Sequence, residues 1–505
     1  MTHTEVRAHR LALPNEAATA RLAAALAPMF LPGDVITLSG DLGAGKTSFA
    51  RYAIRRLMGD PGMDVPSPTF SIMQVYDSPQ GRIVHADLYR IADGAELEEI
   101  GWDEAGANAI LLVEWPDRAG DNLSGQRLDL VFEIDPANPS GARHVTLNAH
   151  GNWPARIGRA LEIAAFLETA GWGGARRQHL QGDASSRRYE RLIDRGRSAI
   201  LMDAPRRPDG PPIRDGKPYS RIAKLAEDVV PFAAIARGLK AEGFSAPDIL
   251  AHDFRRGLLL VEDFGAQGVV VEGAHATERM ETAVDLLAEL HGRDLPRAIA
   301  VEDTVYSVPP YDLEALLIET ELLLDWYLPH MGVTLAPEHR RRFLDLWMQV
   351  LTPVVEGPGT WTLRDYHSPN LMWLPEREGI RRIGLLDFQD TVIGHPAYDV
   401  VSLLQDARLD VPEGLEMALL TRYVKARRAK DPFFEPLAFA GAYAVLGAQR
   451  ATKILGIFVR LANRDGKKNY LQHLPRLAQY LDRDLAHPAL SELRNWYLAA
   501  VRPRR

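Results

Sequence analysis

Two stretches of this sequence hold residue types at spacings that suit phosphate chemistry. The first, Gly40-Asp41-Leu42-Gly43-Ala44-Gly45-Lys46-Thr47 followed by Ser48, fits the pattern G-x-x-x-x-G-K-[ST]. Glycines let backbone N–H groups curl round a phosphate with no Cβ in the way. A helix starting at Lys46 adds the positive end of its dipole. Lys46 would neutralise the β- and γ-phosphates of ATP, and the Thr47 hydroxyl would ligate Mg2+. Such a site also needs a carboxylate near the metal, usually at the end of a neighbouring apolar strand. Ala109–Glu114 supplies Glu114, whose other reading is a strand-end side chain facing solvent. His85-Ala86-Asp87 ends a second strand on the same sheet edge. Asp87 either positions an attacking or metal-bound water, or caps a helix N-terminus.

The second stretch is Leu363-Arg364-Asp365-Tyr366-His367-Ser368-Pro369-Asn370, which contains D-x-x-x-x-N, the core of the kinase catalytic loop. Asp365 would orient an acceptor hydroxyl and accept its proton, and Asn370 would ligate Mg2+. The apolar run Ile383–Leu386 then ends in Asp387-Phe388-Gln389-Asp390, with Asp387 the other metal ligand. Each piece is common by chance; the pair in this order points to phosphoryl transfer. The nucleotide side is less orthodox. Gln181–Tyr189 lies where a phosphate-covering loop belongs, yet it has one glycine, and no V-A-I-K lysine follows. Arg187 and Arg188 either take over phosphate neutralisation, since guanidinium binds phosphate bidentately, or are surface arginines on a hairpin. Leu258–Phe264 reads as a strand entering an interlobe hinge, where Glu262, Asp263 and Phe264 would meet adenine through backbone groups.

The elements that must position these groups follow from periodicity. A helix over Ala17–Phe30, a strand over Val35–Leu38 and a helix over Lys46–Leu57 bracket the glycine loop. Phe70–Tyr76 and Arg82–Asp87 are strands joined by Ser-Pro-Gln-Gly, and Leu128–Ile134 with Arg143–Asn148 reads as a hairpin. This is an α/β P-loop NTPase pattern with a mixed sheet. A helix over Trp153–Thr169 follows, and the domain boundary falls near Gly158. Residues 180–264 are β-rich, and from His275 onward the chain is mostly helical. A small β-rich lobe ahead of a larger helical one is the α+β layout of protein-kinase-like folds. The expected domains are 1–157 and 158–505, the second with lobes at about 158–265 and 266–505.

With 505 residues the chain is too long for one core. It has no cysteine, which removes disulfides, thiolate metal sites and cysteine nucleophiles and suits a reducing, cytoplasmic setting. The start of the chain lacks the apolar core of a signal peptide, and no apolar run is long enough to span a bilayer. A net charge of −8 disfavours a broad nucleic-acid surface.

The first 155 or so residues resemble the TsaE family, the ATPase subunit of the bacterial machinery that makes threonylcarbamoyladenosine in tRNA. Gly40–Thr47, Ser67-Pro68-Thr69-Phe70, His85–Arg90 and Val113-Glu114-Trp115-Pro116 carry the likeness. It implies that Thr47 and Glu114 hold Mg2+, that Ser67–Phe70 is a switch-like loop and that Asp87 supports hydrolysis. Glu16 and Thr19 match a region near the nucleotide. The implied partners are a threonylcarbamoyl transferase and its paired scaffold subunit (TsaD- and TsaB-like), with tRNA involved only indirectly.

The remainder resembles the aminoglycoside phosphotransferase and choline kinase superfamily. Within it the likeness is to the AmgK group, which phosphorylates N-acetylmuramate and N-acetylglucosamine at the anomeric hydroxyl in cell-wall recycling. Gly182–Ser185 with Arg187–Tyr189, Met202–Pro205, Arg364–His367 with Asn370, Asp387–Asp390 and Gly394–Asp399 carry it. Leu363 departs from the histidine common before the Arg-Asp pair. The combined expectation is a bifunctional ATP- and Mg2+-dependent protein that supports tRNA modification and phosphorylates an amino sugar. The alternative is a nucleotide-binding regulatory module fused to a kinase for another small alcohol, aminoglycoside or choline-like. A cationic acceptor would want acidic residues, and Glu302, Asp303, Asp312, Glu314, Glu319, Glu321 and Asp325 are available, although helical spacing reads most of them as a solvated face.

Overall fold

The computed structural model describes residues 7–500, apart from 93, 95, 140, 181–186 and 207–209. Its contacts divide into two compact units, Met1–Gly182 with Arg188–Met202, and Asp183–Arg187 with Asp203–Arg505.

The first unit begins with β1 (Arg7–Leu13), α1 (Glu16–Leu26), β2 (Val35–Ser39) and α2 (Lys46–Met58). It continues through β3 (Met73–Ser78), β4 (Gly81–Asp87), β5 (Ile110–Glu114), β6 (Arg127–Ile134) and β7 (Arg143–Ala149). The seven strands form one sheet in the order β1-β7-β6-β2-β5-β4-β3. β2 runs parallel to β5 and β6, and β4 parallel to β5. The rims are antiparallel, so the sheet is mixed, as its patterning predicts. Ile36, Leu38, Leu112 and Val113 are fully buried, which is why the central strands read as continuous apolar runs. The register sets Glu114 beside Leu38 on one side and Asp87 on the other. Strand ends thus converge on the edge where open α/β sheets hold ligands.

Two local readings shift. The strand expected from Phe70 begins only at Met73, because Ile72 adopts a left-handed φ of 63° and the chain turns before it. The edge strand β1, not anticipated, pairs along its whole length with β7.

The helix Trp153–Thr169 belongs to this unit. Trp153 packs edge-on against Phe30 at 5.8 Å, and Arg156 takes Asp34 through both guanidinium nitrogens. After it β8 (Arg176–Leu180) and β9 (Arg188–Asp194) pair antiparallel. A buried ion cluster ties β9 to the last turn of α2. Glu190 accepts from Arg177 Nε at 2.6 Å, Arg177 Nη2 at 3.1 Å and Arg56 Nη2 at 3.1 Å. Burial pushes the Glu190 carboxyl up, but Arg177 and Arg56 outweigh it and hold the group below its ordinary range. Removing one partner of a buried pair strands the others. Glu190→Ala is therefore expected to cost about 3–5 kcal/mol, seen as earlier melting of the first unit in a thermal scan. An unchanged midpoint would show that the two arginines are hydrated without it.

The second unit places its chemistry between two short ribbons. Thr360–Thr362 pairs antiparallel with Val392–Gly394, and Leu371–Trp373 with Ile383–Leu385. The chain passes from one ribbon to the other and back, through 363–370 and 386–391. These crossings are the two loops that the sequence singles out. Around them pack the helices Val230–Ala241, Thr277–Leu290, Leu313–Leu322, Pro337–Val355 and Pro436–Asp465. The last of these approaches Leu313–Leu322 so closely that a Cβ on Gly456 would lie 2.3 Å from the Leu322 backbone. Only glycine fits there. Among the described residues no helix is long and apolar enough to cross a membrane.

Candidate active sites

The glycine loop of the first unit is shaped by its neighbours. Gly40 has φ +129°, and a Cβ there would stand 2.2 Å from the Phe132 carbonyl oxygen on β6. Gly45, at φ 110°, ends the loop and α2 starts at Lys46. Ala44 is buried, whereas Asp41, Leu42 and Gly43 are exposed. The Lys46 ammonium folds back onto the carbonyls of Gly40 (2.6 Å) and Asp41 (2.9 Å) and sits 3.9 Å over the Trp115 ring. Burial lowers its pKa, an effect that Glu114, Asp87 and Asp41 partly offset. Thr47 Oγ1 donates to Glu114 Oε2 at 2.8 Å, so hydroxyl and carboxylate meet at one point. Ser48 follows in the first helical turn.

Glu114 is buried rather than turned to solvent. Its other oxygen lies 3.0 Å from His85 Nε2, itself fully buried. Asp87 caps no helix: Oδ2 accepts from Ser67 and Thr69 hydroxyls, each at 2.9 Å, and Oδ1 from the Tyr89 N–H. Asp87 thereby fastens Ser67–Phe70 to the strand ends, while Phe70 itself stays 89% exposed. Glu16 is bonded to the Tyr52 hydroxyl at 2.9 Å, on α2 beyond the loop, and Thr19 is buried on α1.

In the second unit Asp365 and Asp387 share a site. Asn370 Nδ2 donates to the Asp365 carbonyl at 2.9 Å, leaving its own carbonyl oxygen for another partner. Arg187 Nη1 lies 3.7 Å from Asp387 Oδ1. Arg188, the first residue of β9, instead puts Nη1 3.2 Å from Met29 Sδ. Of the two arginines only Arg187 is brought to the aspartates. Gln181–Ser186, the rest of that motif, lie outside the described residues. Gln389 donates to Asp387 at 2.8 Å, and Phe388 stacks on Phe232 with 4.8 Å between centroids. At the end of the strand Leu258–Glu262, Glu262 pairs with Arg377 at 2.8 Å. Asp263 accepts the Gly265 N–H, and Phe264 faces Arg377.

The loop 363–370 is held from beneath. Asp399, fully buried, accepts the Leu363 and Arg364 N–H groups at 2.7 and 2.9 Å. Arg364 has a left-handed φ of 66°, and Asp387 one of 55°, conformations that persist only where surroundings over-determine them. The Arg364 guanidinium donates to Glu319, and Lys453 binds the same oxygen at 2.8 Å. Glu319 also receives Tyr311 and Gln449. The reading of this acidic stretch as a solvated face therefore fails at Glu319 and at Glu321, which is buried between Arg214 and Arg340.

Comparison with known proteins also divides the chain in two, with the second match beginning inside the first contact unit. The family "Threonylcarbamoyl adenosine biosynthesis protein TsaE" matches residues 13–144, and "Phosphotransferase enzyme family" matches 177–435. The N-acetylmuramate/N-acetylglucosamine kinase of Caulobacter vibrioides is 38% identical over 351 residues, 67% of this chain and 96% of that one. Its Pseudomonas aeruginosa namesake is 35% identical, over 64% of this chain and 89% of that one. The tRNA threonylcarbamoyladenosine biosynthesis protein TsaE of Rickettsia felis is 41% identical over 124 residues, 25% of this chain and 72% of that protein. The chain belongs to the phosphotransferase enzyme family. Ahead of its kinase-like domain it carries a TsaE domain, and the protein is an ATP-using enzyme.

Lys453 of the phosphotransferase site escapes sequence reading, because it lies far away in the chain. Asp399 and Glu319 stand out in the sequence only as the end of Gly394–Asp399 and as one of a run of acidic residues, without their buried roles; His85 in the TsaE domain is marked only by its nearness to Asp87. Electrostatics separates the two aspartates. Burial pushes both carboxyls up, but His367, Lys453 and Arg364 hold Asp365 below its ordinary value. Asp387, further raised by Asp365, is pushed up to about 6 despite Arg187. His367 is pushed down to about 4, first by burial and then by Arg408, so it is neutral at pH 7.

The raised Asp387 gives a pH-dependent signature. Its folded-state value lies above the ordinary 3.8, so the folded protein holds the extra proton between the two values, and stability falls as pH rises through that window. Asp387→Asn removes the charge responsible. In chelator-treated protein it is expected to raise the melting temperature at pH 8 but not at pH 4. A gain of equal size at both pH values would contradict this assignment.

Proposed function

We propose that the phosphotransferase half moves the γ-phosphate of Mg-ATP to the anomeric hydroxyl of an amino sugar, N-acetylmuramate or N-acetylglucosamine. The observation that carries this reading is the meeting of Asp365, Asp387, Asn370 and Arg187 in a chain that covers nearly all of a sugar kinase relative. The Asp365 carboxylate orients the sugar hydroxyl and accepts its proton as the oxygen bonds to γ-phosphorus and the bond to the β,γ-bridging oxygen breaks, releasing ADP. Asp387 and the Asn370 carbonyl are hard oxygen donors of the kind Mg2+ takes. The metal, when bound, neutralises charge on the phosphates. Arg187 stands in for the absent lysine by holding the phosphates bidentately, and backbone groups of Glu262–Phe264 meet adenine.

The TsaE half, a P-loop ATPase fold in this reading, binds Mg-ATP in Gly40–Ser48, with Thr47 and Glu114 on the metal, Lys46 on the phosphates and Asp87 aiding water attack. Glu16 and Thr19, on α1, lie near the nucleotide in this reading. The functional division is 1–157 and 158–505. The ATPase acts with a threonylcarbamoyl transferase and its scaffold subunit, reaches tRNA only through them, and works in the cytoplasm, a setting that suits a chain without cysteine.

Phosphorus NMR of ATP with amino sugars, aminoglycosides and choline tests the kinase. A sugar 1-phosphate is expected from wild type and Lys46→Ala and none from Asp365→Ala. Transfer to no sugar, or transfer untouched by Asp365→Ala, would overturn it. For the other half, reconstitution with the two partner subunits is expected to lose tRNA modification in Lys46→Ala. Full modification by that variant would leave the domain without an ATPase role.

A further inference from the structure

The long helix Pro436–Asp465 carries Arg450, Lys453, Arg460 and Arg464, whose spacing puts them on one stripe of a 3.6-residue helix. The inner end of this stripe borders the catalytic loop. Arg450 Nε donates to the Ser402 hydroxyl, and that hydroxyl donates to the Arg364 carbonyl. Lys453 shares Glu319 with Arg364 and lies 3.3 Å from the Tyr398 hydroxyl. Both cations act electrostatically on Asp365. Arg464 is satisfied by its neighbour Asp465.

Arg460 is different. It is half-buried, its Nε is buried with no hydrogen-bond partner, and among the described residues it has no carboxylate within ion-pair distance. Its guanidinium rests on the Tyr219 ring, 5.4 Å from the centroid. Tyr219 heads a segment stitched to the catalytic loop: the Ala223 and Lys224 carbonyls, four and five residues on, accept Arg364 Nη1 at 2.9 and 3.4 Å. Arg460 stands two turns beyond Lys453, about 10 Å along the helix. Asp465 attracts Arg460 from a distance but is paired with Arg464, and a half-buried guanidinium without a carboxylate in contact costs free energy unless a ligand supplies one. The carboxylates nearest the loop are already shared or committed: Glu319 serves two cations and Asp399 two N–H groups. This side of Asp365 therefore carries excess positive charge, which opposes a polycationic aminoglycoside or choline and favours an anion.

We infer that Arg460, braced by Tyr219, is the subsite for the carboxylate of an acidic amino sugar and sets a preference for N-acetylmuramate over N-acetylglucosamine. The two sugars differ by a lactyl ether whose carboxylate a guanidinium binds bidentately. The inference rests on the reading that Asp365 takes the sugar hydroxyl.

Steady-state kinetics on both sugars tests it, with Arg460→Gln, Arg460→Lys and wild type. Arg460→Gln is expected to raise KM for N-acetylmuramate by about 10- to 100-fold, with kcat and KM for N-acetylglucosamine within about twofold of wild type. Arg460→Lys is expected to recover part of the loss. The methyl ester of N-acetylmuramate, which lacks the charge, is expected to bind wild type as weakly as the acid binds Arg460→Gln. Equal losses on both sugars would make Arg460 a structural residue, and no loss on either would put the carboxylate elsewhere. Either overturns the subsite while the kinase stands. A wild type that phosphorylates neither sugar sinks both.

Discussion

The carboxylate of Glu319 is fully buried and surrounded by donors: Arg364 and Lys453 on one oxygen, Tyr311 at 2.5 Å and Gln449 at 3.1 Å on the other. Burial alone would push this group up, yet Lys453 and Arg364 hold it charged and below its ordinary range. Such an ion is tolerable only with this degree of compensation. Its effect is architectural. It joins the helix Leu313–Leu322 to Pro436–Asp465 and pins the guanidinium of the residue that precedes Asp365. Protein kinases order related segments through arginine and an added phosphate; here the negative charge is a permanent side chain of the core.

The two halves of the chain follow a shared physical plan. Each sets a carboxylate at or beside a strand end, in backbone that few residues adopt. Trp115, directly after Glu114, has φ 59°, Arg364 before Asp365 has φ 66°, and Asp387 itself has φ 55°. Buried partners hold each in place, His85 for Glu114 and Asp399 for the loop before Asp365. In the TsaE domain parallel register brings Asp87 beside Glu114. In the phosphotransferase domain two short antiparallel ribbons deliver both loops to one place.

What sequence can show here is whatever is contiguous. The glycine loop, Asp365 with Asn370, and Asp387 at the end of its strand are local patterns with strict spacing, and their elements appear where periodicity sets them. Long-range partners are not local. Glu319 lies 45 residues from Arg364, and its own helix carries Glu314 and Glu321 as well, so nothing nearby marks it as buried. Arg187 and Arg188 are indistinguishable as letters, and only the folded chain brings one to Asp387 and the other to Met29. The edge strand β1 is legible only with its partner β7, more than a hundred residues on.

The loop that carries Asp365 is organised by one buried charge. The most direct measurement is the turnover of Glu319→Gln, which keeps the shape and removes that charge, with near-UV circular dichroism to check the fold. Since a small misplacement of a catalytic group costs on the order of 100-fold, kcat for the sugar is expected to fall about that far while KM for ATP changes little. A correctly folded Glu319→Gln protein with wild-type kcat would contradict the account.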